Sequence, residues 1–176
     1  MTQTNRRLSA LLAALLAALL LVLPLCACSS VPRITDEAAM PLQHVIDGVI
    51  NGDLRTYLSA FPDDYVAAIT EEYERSVCPD FTAYMQDFLA SALDVHRDNL
   101  GDEAALWFDV EGKTELTESE WNDCFDDYVD YNVIQYRPDA SKTAEAYKIS
   151  GTLHRRGSEN ETEAQGNFIV LLYDGK

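Results

Sequence analysis

The chain has 176 residues, of which 13 are basic and 30 acidic, so its formal net charge is −17 and its sequence pI is near 4.3. This length leaves room for one core of ordinary size, and we expect one domain. The negative charge would repel phosphate backbones and anionic lipid headgroups, which excludes nucleic acid as a partner and excludes membrane docking through a basic surface.

The first 27 residues have the three-part form of a secretory signal. Arg6 and Arg7 precede an apolar run that ends at Leu23, and Pro24 and small residues follow. A transmembrane helix needs about 20 unbroken apolar residues, and the stretch over 10–23 is shorter. Removal of this segment would take two of the 13 basic residues and no acidic one, leaving 11 against 30, a formal charge of −19.

Leu25, Cys26, Ala27 and Cys28 resemble the lipobox of bacterial lipoproteins, in which a small residue directly precedes the modified cysteine. Cys28 follows Ala27 and fits this pattern, whereas Cys26 follows the bulky Leu25. The resemblance implies a diacylglyceryl thioether on Cys28, and two acyl chains give stable anchoring at about 0.8 kcal/mol per buried methylene. It places the chain on the outer face of the cytoplasmic membrane. The alternative is an ordinary secretory signal cut near Ala27, with Cys28 left as a free thiol.

We therefore expect a lipoprotein signal over 1–27, a tether over 28–34 and a single domain over 35–176, which begins with helices. A first helix is predicted from Thr35 or Asp36 to Asn51, and Asp53 is expected to cap a shorter second one that ends before Pro62. A third short helix is expected to reach Ile69. After Pro79 the sequence predicts a helix whose broad aromatic side packs on a sheet, with Phe81, Tyr84, Met85, Phe88, Leu89 and Ala92 on one face.

The second half of the domain predicts strands. Residues 104–111 alternate in polarity, and so does the later stretch 147–154. A turn-rich stretch then leads into 165–173, which is expected to close a hairpin. Between them Thr117 and Glu120 form a capping box at the start of a helix. Helices followed by a strand, a helix and a hairpin predict an α+β fold, with N-terminal helices packed on one face of a small antiparallel sheet.

This arrangement resembles the small extracytoplasmic lipoproteins of Gram-positive bacteria whose domain has the nuclear transport factor 2-like, or cystatin-like, fold. Three segments carry the resemblance: "VIDGVINGDLRTYLSAFP", "LWFDVEGKTELTESEWNDCFDDYV" and "FIVLLYDGK". It implies a concave sheet face or sheet edge that holds a small ligand, a peptide or a neighbouring envelope protein. In enzymes of this fold, the concave face carries His, Asp and Tyr side chains.

Candidates for such an enzyme site are Tyr147, Trp107 and Asp109, although an aromatic sheet face is more often plain core. We therefore expect no catalytic residues and no cofactor. The expected function is a non-enzymatic ligand-binding or protein-assembly domain held at the membrane by Cys28. The alternatives are a small-pocket enzyme of the same fold, a lyase, isomerase or hydrolase, and a purely structural spacer.

No sequence motif predicts a metal site. The histidines His44, His96 and His154 form no pair at the spacing of metal ligands on one helix or strand. The helix after Thr117 carries an acidic stripe that lacks the looped geometry with which proteins wrap calcium, and we interpret it as a solvated face. Its members are Asp123, Asp126, Asp127 and Asp130.

Cys78 and Cys124 are the two cysteines of the predicted domain. In an exported protein such a pair invites a disulfide, which would contribute about 4 kcal/mol by closing a long loop. Cys124, however, falls on the apolar side of its helix, where a free cysteine packs as a small hydrophobic residue. The sequence leaves both alternatives open.

Overall fold

The computed structural model describes residues 31–131 and 136–175, with five α-helices and three β-strands in these ranges. The predicted signal segment, Cys28 and the first residues of the tether lie outside them. In chain order the elements are α1 (Met40–Asn51), α2 (Leu54–Leu58), α3 (Asp63–Ser76), α4 (Phe81–Leu100), β1 (Ala105–Glu115), α5 (Glu118–Tyr131), β2 (Thr143–Arg156) and β3 (Glu161–Tyr173).

The three strands form one antiparallel sheet in the order β1-β2-β3, with β2 in the centre. β2 and β3 form the predicted hairpin. His154 of β2 is paired with Trp107 of β1 and with Glu163 of β3. A β-bulge interrupts the β1–β2 pairing between Val110 and Gly112. The structure thus confirms the α+β class and its small antiparallel sheet.

Side chains alternate between the two faces of a strand, so each face has its own set of residues. The inner face carries Phe108, Ile149 and Val170, which form a core with Ile34, Ala39 and Ile46. The N-terminal helix α1 therefore packs on this face, as predicted.

Within the part of the chain that the structure describes, α5 covers one end of the outer face. There Trp121 and Phe125 of α5 pack on Ala146 and Leu171. The sheet therefore has helices on both faces, which corrects the expectation of one. At the other end, the outer face presents Trp107, Asp109, Thr152, His154 and Glu163.

Local sequence signals set several helix ends as predicted. Gly52 ends α1 in the left-handed conformation, with φ of 62°. The Asp53 carboxylate accepts hydrogen bonds from the backbone N–H groups of Arg55 and Thr56 in the first turn of α2. The capping box at α5 is also confirmed. The Thr117 N–H donates to Glu120 Oε2 over 2.8 Å, and the Glu120 N–H donates to Thr117 Oγ1 over 3.4 Å.

Two helix bounds differ from the prediction. The first α-helix begins at Met40 after a 3-10 turn over Glu37–Ala39, because Pro41 has no N–H and is suited only to a first turn. The third helix reaches Ser76 and not Ile69, since no glycine or proline interrupts it and acidic residues favour its N-terminus.

The aromatic side of α4 is less buried than predicted. Phe81, Met85 and Leu89 are buried, but Tyr84 and Phe88 are 39% and 47% exposed. The expected broad contact with the sheet is therefore wrong for these two residues, because α1 already occupies the inner face of a sheet of only three strands. The buried side of α4 is the narrower stripe at i, i+4 spacing.

Candidate functional site

An apolar groove of about 580 Å³ lies between α1, α4 and the inner face of the sheet. Aliphatic side chains from all three elements line it: Val49, Ile50, Ala92, Leu93, Val95, Leu100, Leu106 and Leu153. Binding cavities for small molecules have volumes of about 300 to 1,000 Å³ and are mostly apolar. The size and the lining therefore fit a small, largely apolar ligand.

Polar groups complete the lining of the groove. They are His96 and Asn99 of α4, Arg155 of β2, Asn160 of the hairpin turn and Thr162 of β3. His96 Nε2 donates a hydrogen bond to the Arg156 carbonyl oxygen over 3.2 Å, which joins α4 to β2. The exposed Arg155 supplies a positive charge beside the apolar walls. A ligand with an apolar body and an anionic end would match both features.

The outer face carries a polar cluster centred on His154. Its imidazole stacks on the indole of Trp107, with centroids 4.7 Å apart and planes within 3°. The guanidinium carbon of Arg156 lies 5.1 Å from the centre of the same indole. Trp107 is buried, and the His154 side chain is only 14% exposed. Stacking and burial thus restrict the orientation of the His154 ring, although its neighbours on this face include polar side chains.

Carboxylates approach His154 from both neighbouring strands. Nε2 lies 3.0 Å from Oδ2 of Asp109 on β1, and Nδ1 lies 3.2 Å from Oε1 of Glu163 on β3. Nδ1 is buried and makes no hydrogen bond. Potential ligand atoms of His154, Glu161 and Glu163 all lie within 4.8 Å of one another.

A hydrogen-bonded chain of side chains crosses the sheet beside this cluster. The buried Thr152 donates from its hydroxyl to Glu111 Oε1 over 2.6 Å, and Gln165 Nε2 donates to the same hydroxyl over 2.7 Å. All three strands contribute one member. These hydrogen bonds hold the side chains of Glu111, Thr152 and Gln165 in place beside the His154 cluster.

A separate polar cluster surrounds Asp64 at the start of α3. Its carboxylate accepts hydrogen bonds from the phenols of Tyr136 and Tyr173, each over 2.7 Å, and from Lys142 Nζ over 3.1 Å. Partial burial would raise the pKa of Asp64, but the bonds from Tyr173, Tyr136 and Lys142 outweigh it and lower the pKa to about 2. Burial and the bonds with Tyr173 and Asp64 raise the pKa of Tyr136.

The structure separates the three residues predicted as an enzyme site. Trp107 and Asp109 lie together on the outer face, whereas Tyr147 contacts the core of the inner face. The Tyr147 phenol donates to Glu145, and this hydrogen bond raises the pKa of Tyr147 to about 12. The side chain that lies beside Trp107 and Asp109 is that of His154.

Cys78 and Cys124 both carry free thiols and are half-buried. The two thiols are unbridged in the structure, and the disulfide between them stays a prediction. Of the predicted acidic stripe on α5, Asp123 is exposed, and the other three aspartate side chains lie outside the described residues. His44 is half-buried, with Nδ1 3.2 Å from Ser59 Oγ.

Neither polar cluster was predicted from the sequence. Histidine pairs alone do not reveal the outer-face cluster, because it joins one histidine to carboxylates of the adjacent strands. A signal was present, because a turn over 157–160 sets His154 opposite Glu163. For the Asp64 cluster no sequence signal was available.

No protein-family model, curated protein or solved structure matches the chain significantly. None of the helices in the described residues has the length and apolar composition needed to cross a membrane.

Proposed function

We propose that this chain is a lipid-anchored, extracytoplasmic lipoprotein of the outer face of the cytoplasmic membrane, whose domain has the nuclear transport factor 2-like (cystatin-like) fold. Its domain binds a ligand and does not catalyse a reaction. The anchor is a diacylglyceryl group on Cys28, supported by the similarity of residues 25–28 to a lipobox. The partner is a small ligand, or alternatively a segment of a neighbouring envelope protein.

The groove between α1, α4 and the inner sheet face is the observation that carries the binding function. Its volume and aliphatic lining suit an apolar body, and Arg155 suits an anionic end. We therefore propose an amphipathic ligand with a carboxylate or similar group. The titratable cluster around His154 lies on the opposite face of the sheet, which favours binding over catalysis in the groove.

The experiment uses a fatty acid that bears a photoreactive diazirine. It is irradiated with the full chain in detergent, and labelled peptides are identified by mass spectrometry. We expect labelling of the α1, α4 and β2 peptides that line the groove. Ala92→Trp should fill the groove and reduce this labelling at least severalfold.

The matched control is Ala90→Trp, which adds the same side chain at an exposed position of α4 outside the groove. Labelling in this variant should equal that of the unaltered chain. Labelling that is spread over the whole chain, or that Ala92→Trp leaves unchanged, would rule out the groove as the binding site.

A small-pocket enzyme, a lyase, isomerase or hydrolase, is the second candidate function. One observation favours it: an imidazole held between Trp107, Asp109 and Glu163 resembles the oriented bases of acid–base catalysis. In that case the His154→Gln variant should lose turnover of a substrate that the unaltered chain consumes, whereas a binding domain consumes none.

A further inference from the structure

We propose that the outer face of the sheet binds a divalent transition-metal ion through His154, Glu161 and Glu163. In this arrangement Asp109 accepts a hydrogen bond from Nε2 of the imidazole and so orients the ring. This site lies on the opposite face of the sheet from the groove, and it goes beyond the proposed ligand binding.

Strand register brings the three ligands together. His154 on β2 stands directly opposite Glu163 on β3, and directly opposed side chains have Cβ atoms about 4.5 to 5.5 Å apart. Glu161 lies two residues before Glu163 and so emerges on the same face. The ligand atoms of all three residues already lie within 4.8 Å of one another, and both glutamates are exposed enough to adjust.

The position of the imidazole nitrogens supports a metal and not only an ion pair. Asp109 Oδ2 lies 3.0 Å from Nε2, at hydrogen-bonding distance, and so favours the tautomer with its proton on Nε2. Nδ1 then points its lone pair towards Glu163 Oε1, 3.2 Å away, and the buried nitrogen makes no hydrogen bond. A lone pair and a carboxylate repel each other unless a proton or a metal ion lies between them, and the missing hydrogen bond at Nδ1 favours the metal ion.

The distances also suit one shared ion. Histidine and carboxylate ligands bind zinc tetrahedrally at about 2.0 to 2.2 Å, so two ligand atoms on the same ion are about 3.3 to 3.6 Å apart. The separation of Nδ1 and Oε1 is 3.2 Å. A metal-bound histidine usually donates its other N–H to a carboxylate, as Nε2 does towards Asp109 in this arrangement.

The charges around the site favour a cation. Asp109, Glu161 and Glu163 are acidic, whereas Arg156, opposite Glu161 in the strand register, is the basic side chain of the outer face at this end and lies over Trp107. Arg155 points to the inner face, where it lines the groove. One imidazole nitrogen and two carboxylates are the ligands of borderline ions such as zinc. Three protein ligands leave a further coordination position for water.

The experiment is titration calorimetry of the full chain in detergent with Zn²⁺ as the probe. We expect one Zn²⁺ per chain at the tightest site. Glu163→Gln and Glu161→Gln keep side-chain size and change exposed positions, so both variants should fold, and each should weaken this site about tenfold or more. In NMR spectra, Zn²⁺ should shift the imidazole resonances that are missing from His154→Gln.

Asp87→Asn is the matched control, because it removes one negative charge at an exposed position of α4. It should bind Zn²⁺ as the unaltered chain does. Cys78 and Cys124 are unchanged in all these chains, so a thiol site would survive in each of them. Equal Zn²⁺ affinity in Glu163→Gln and the unaltered chain, or unshifted His154 resonances, would overturn the proposal and leave the groove unaffected.

Discussion

Asp64 joins three parts of the chain that are distant in sequence. It lies in the first turn of α3, and it accepts hydrogen bonds from Tyr136 and Lys142 before β2 and from Tyr173 at the end of β3. These bonds favour the ionised carboxylate, which lowers the pKa of Asp64 from its ordinary value of 3.8 to about 2. The stability of the fold should therefore depend on this one charge.

A carboxyl group whose pKa is lower in the folded than in the unfolded chain stabilises the fold above its unfolded-state pKa. The contribution of Asp64 is therefore fully present above about pH 4 and is lost as the pH falls from 3.8 towards 2. Its side chain is 35% exposed, and allowing for solvent screening we expect about 1 kcal/mol from this charge. Thermal melts of Asp64→Asn should show lower stability at pH 7 and a smaller further loss between pH 4 and pH 2.

Asp87→Asn serves as the comparison, since Asp87 is exposed on α4 and distant in sequence from these partners. Its melting temperature should follow that of the unaltered chain across the same range. An Asp64→Asn variant that melts like the unaltered chain at pH 7 would show that the cluster around Asp64 does not stabilise the fold.

At the residue scale, the sequence predicted contacts between neighbours in the chain and missed contacts between distant residues. Thr117 and Glu120 are three positions apart, and their capping box could be recognised because helix geometry fixes their distance. Asp64 and Tyr173 are 109 positions apart, and only the assembled fold brings them together. The contact between His154 and Glu163 is an intermediate case, because the register of a hairpin predicts which residues of its two strands are paired.

The pairing of β1 with β2 depends on a glycine at the centre of the sheet. A Cβ atom added to Gly151 would lie 2.0 Å from the Asp109 carbonyl oxygen and 2.8 Å from Cζ of Phe108. The Phe108 ring therefore lies across the strand at the place where Gly151 has no side chain. Phe168 meets the same ring edge-on, with centroids 5.4 Å apart.

We expect Gly151→Ala to destabilise the fold by about 1 to 3 kcal/mol, because backbone or core must move to make room for the methyl group. Chemical denaturation monitored by circular dichroism measures this change. Ser150→Ala, at the preceding position of β2, should cost less than about 0.5 kcal/mol. Similar midpoints for the two variants would contradict the close approach of Phe108 to Gly151.

At the element scale, the type and order of the helices and strands could be predicted, whereas their packing could not. Periodicity and caps indicated five helices and three strands in the order the structure has them. Periodicity marks an apolar side without naming what covers it, so the exposure of Tyr84 and Phe88 was missed. Helix α5 was likewise recognised, but its place on the outer face depends on contacts with Ala146 and Leu171.

For the molecule as a whole, the net negative charge determines which kind of membrane attachment is possible. The formal charge is −17, and an acidic surface is repelled by anionic lipids. In the proposed function the domain nevertheless works beside a membrane, so attachment has to come from elsewhere in the chain. Two acyl chains on Cys28 would supply it independently of the domain surface, since their binding is hydrophobic and insensitive to charge.

The lipid anchor can be tested by mass spectrometry of the amino terminus, on protein extracted from its own membranes. We expect a chain that begins at Cys28 and carries a diacylglyceryl thioether on its sulfur, and a Cys28→Ala variant that keeps residues 1–27. An unmodified amino terminus at or near Cys28 in the membrane-derived chain would contradict it.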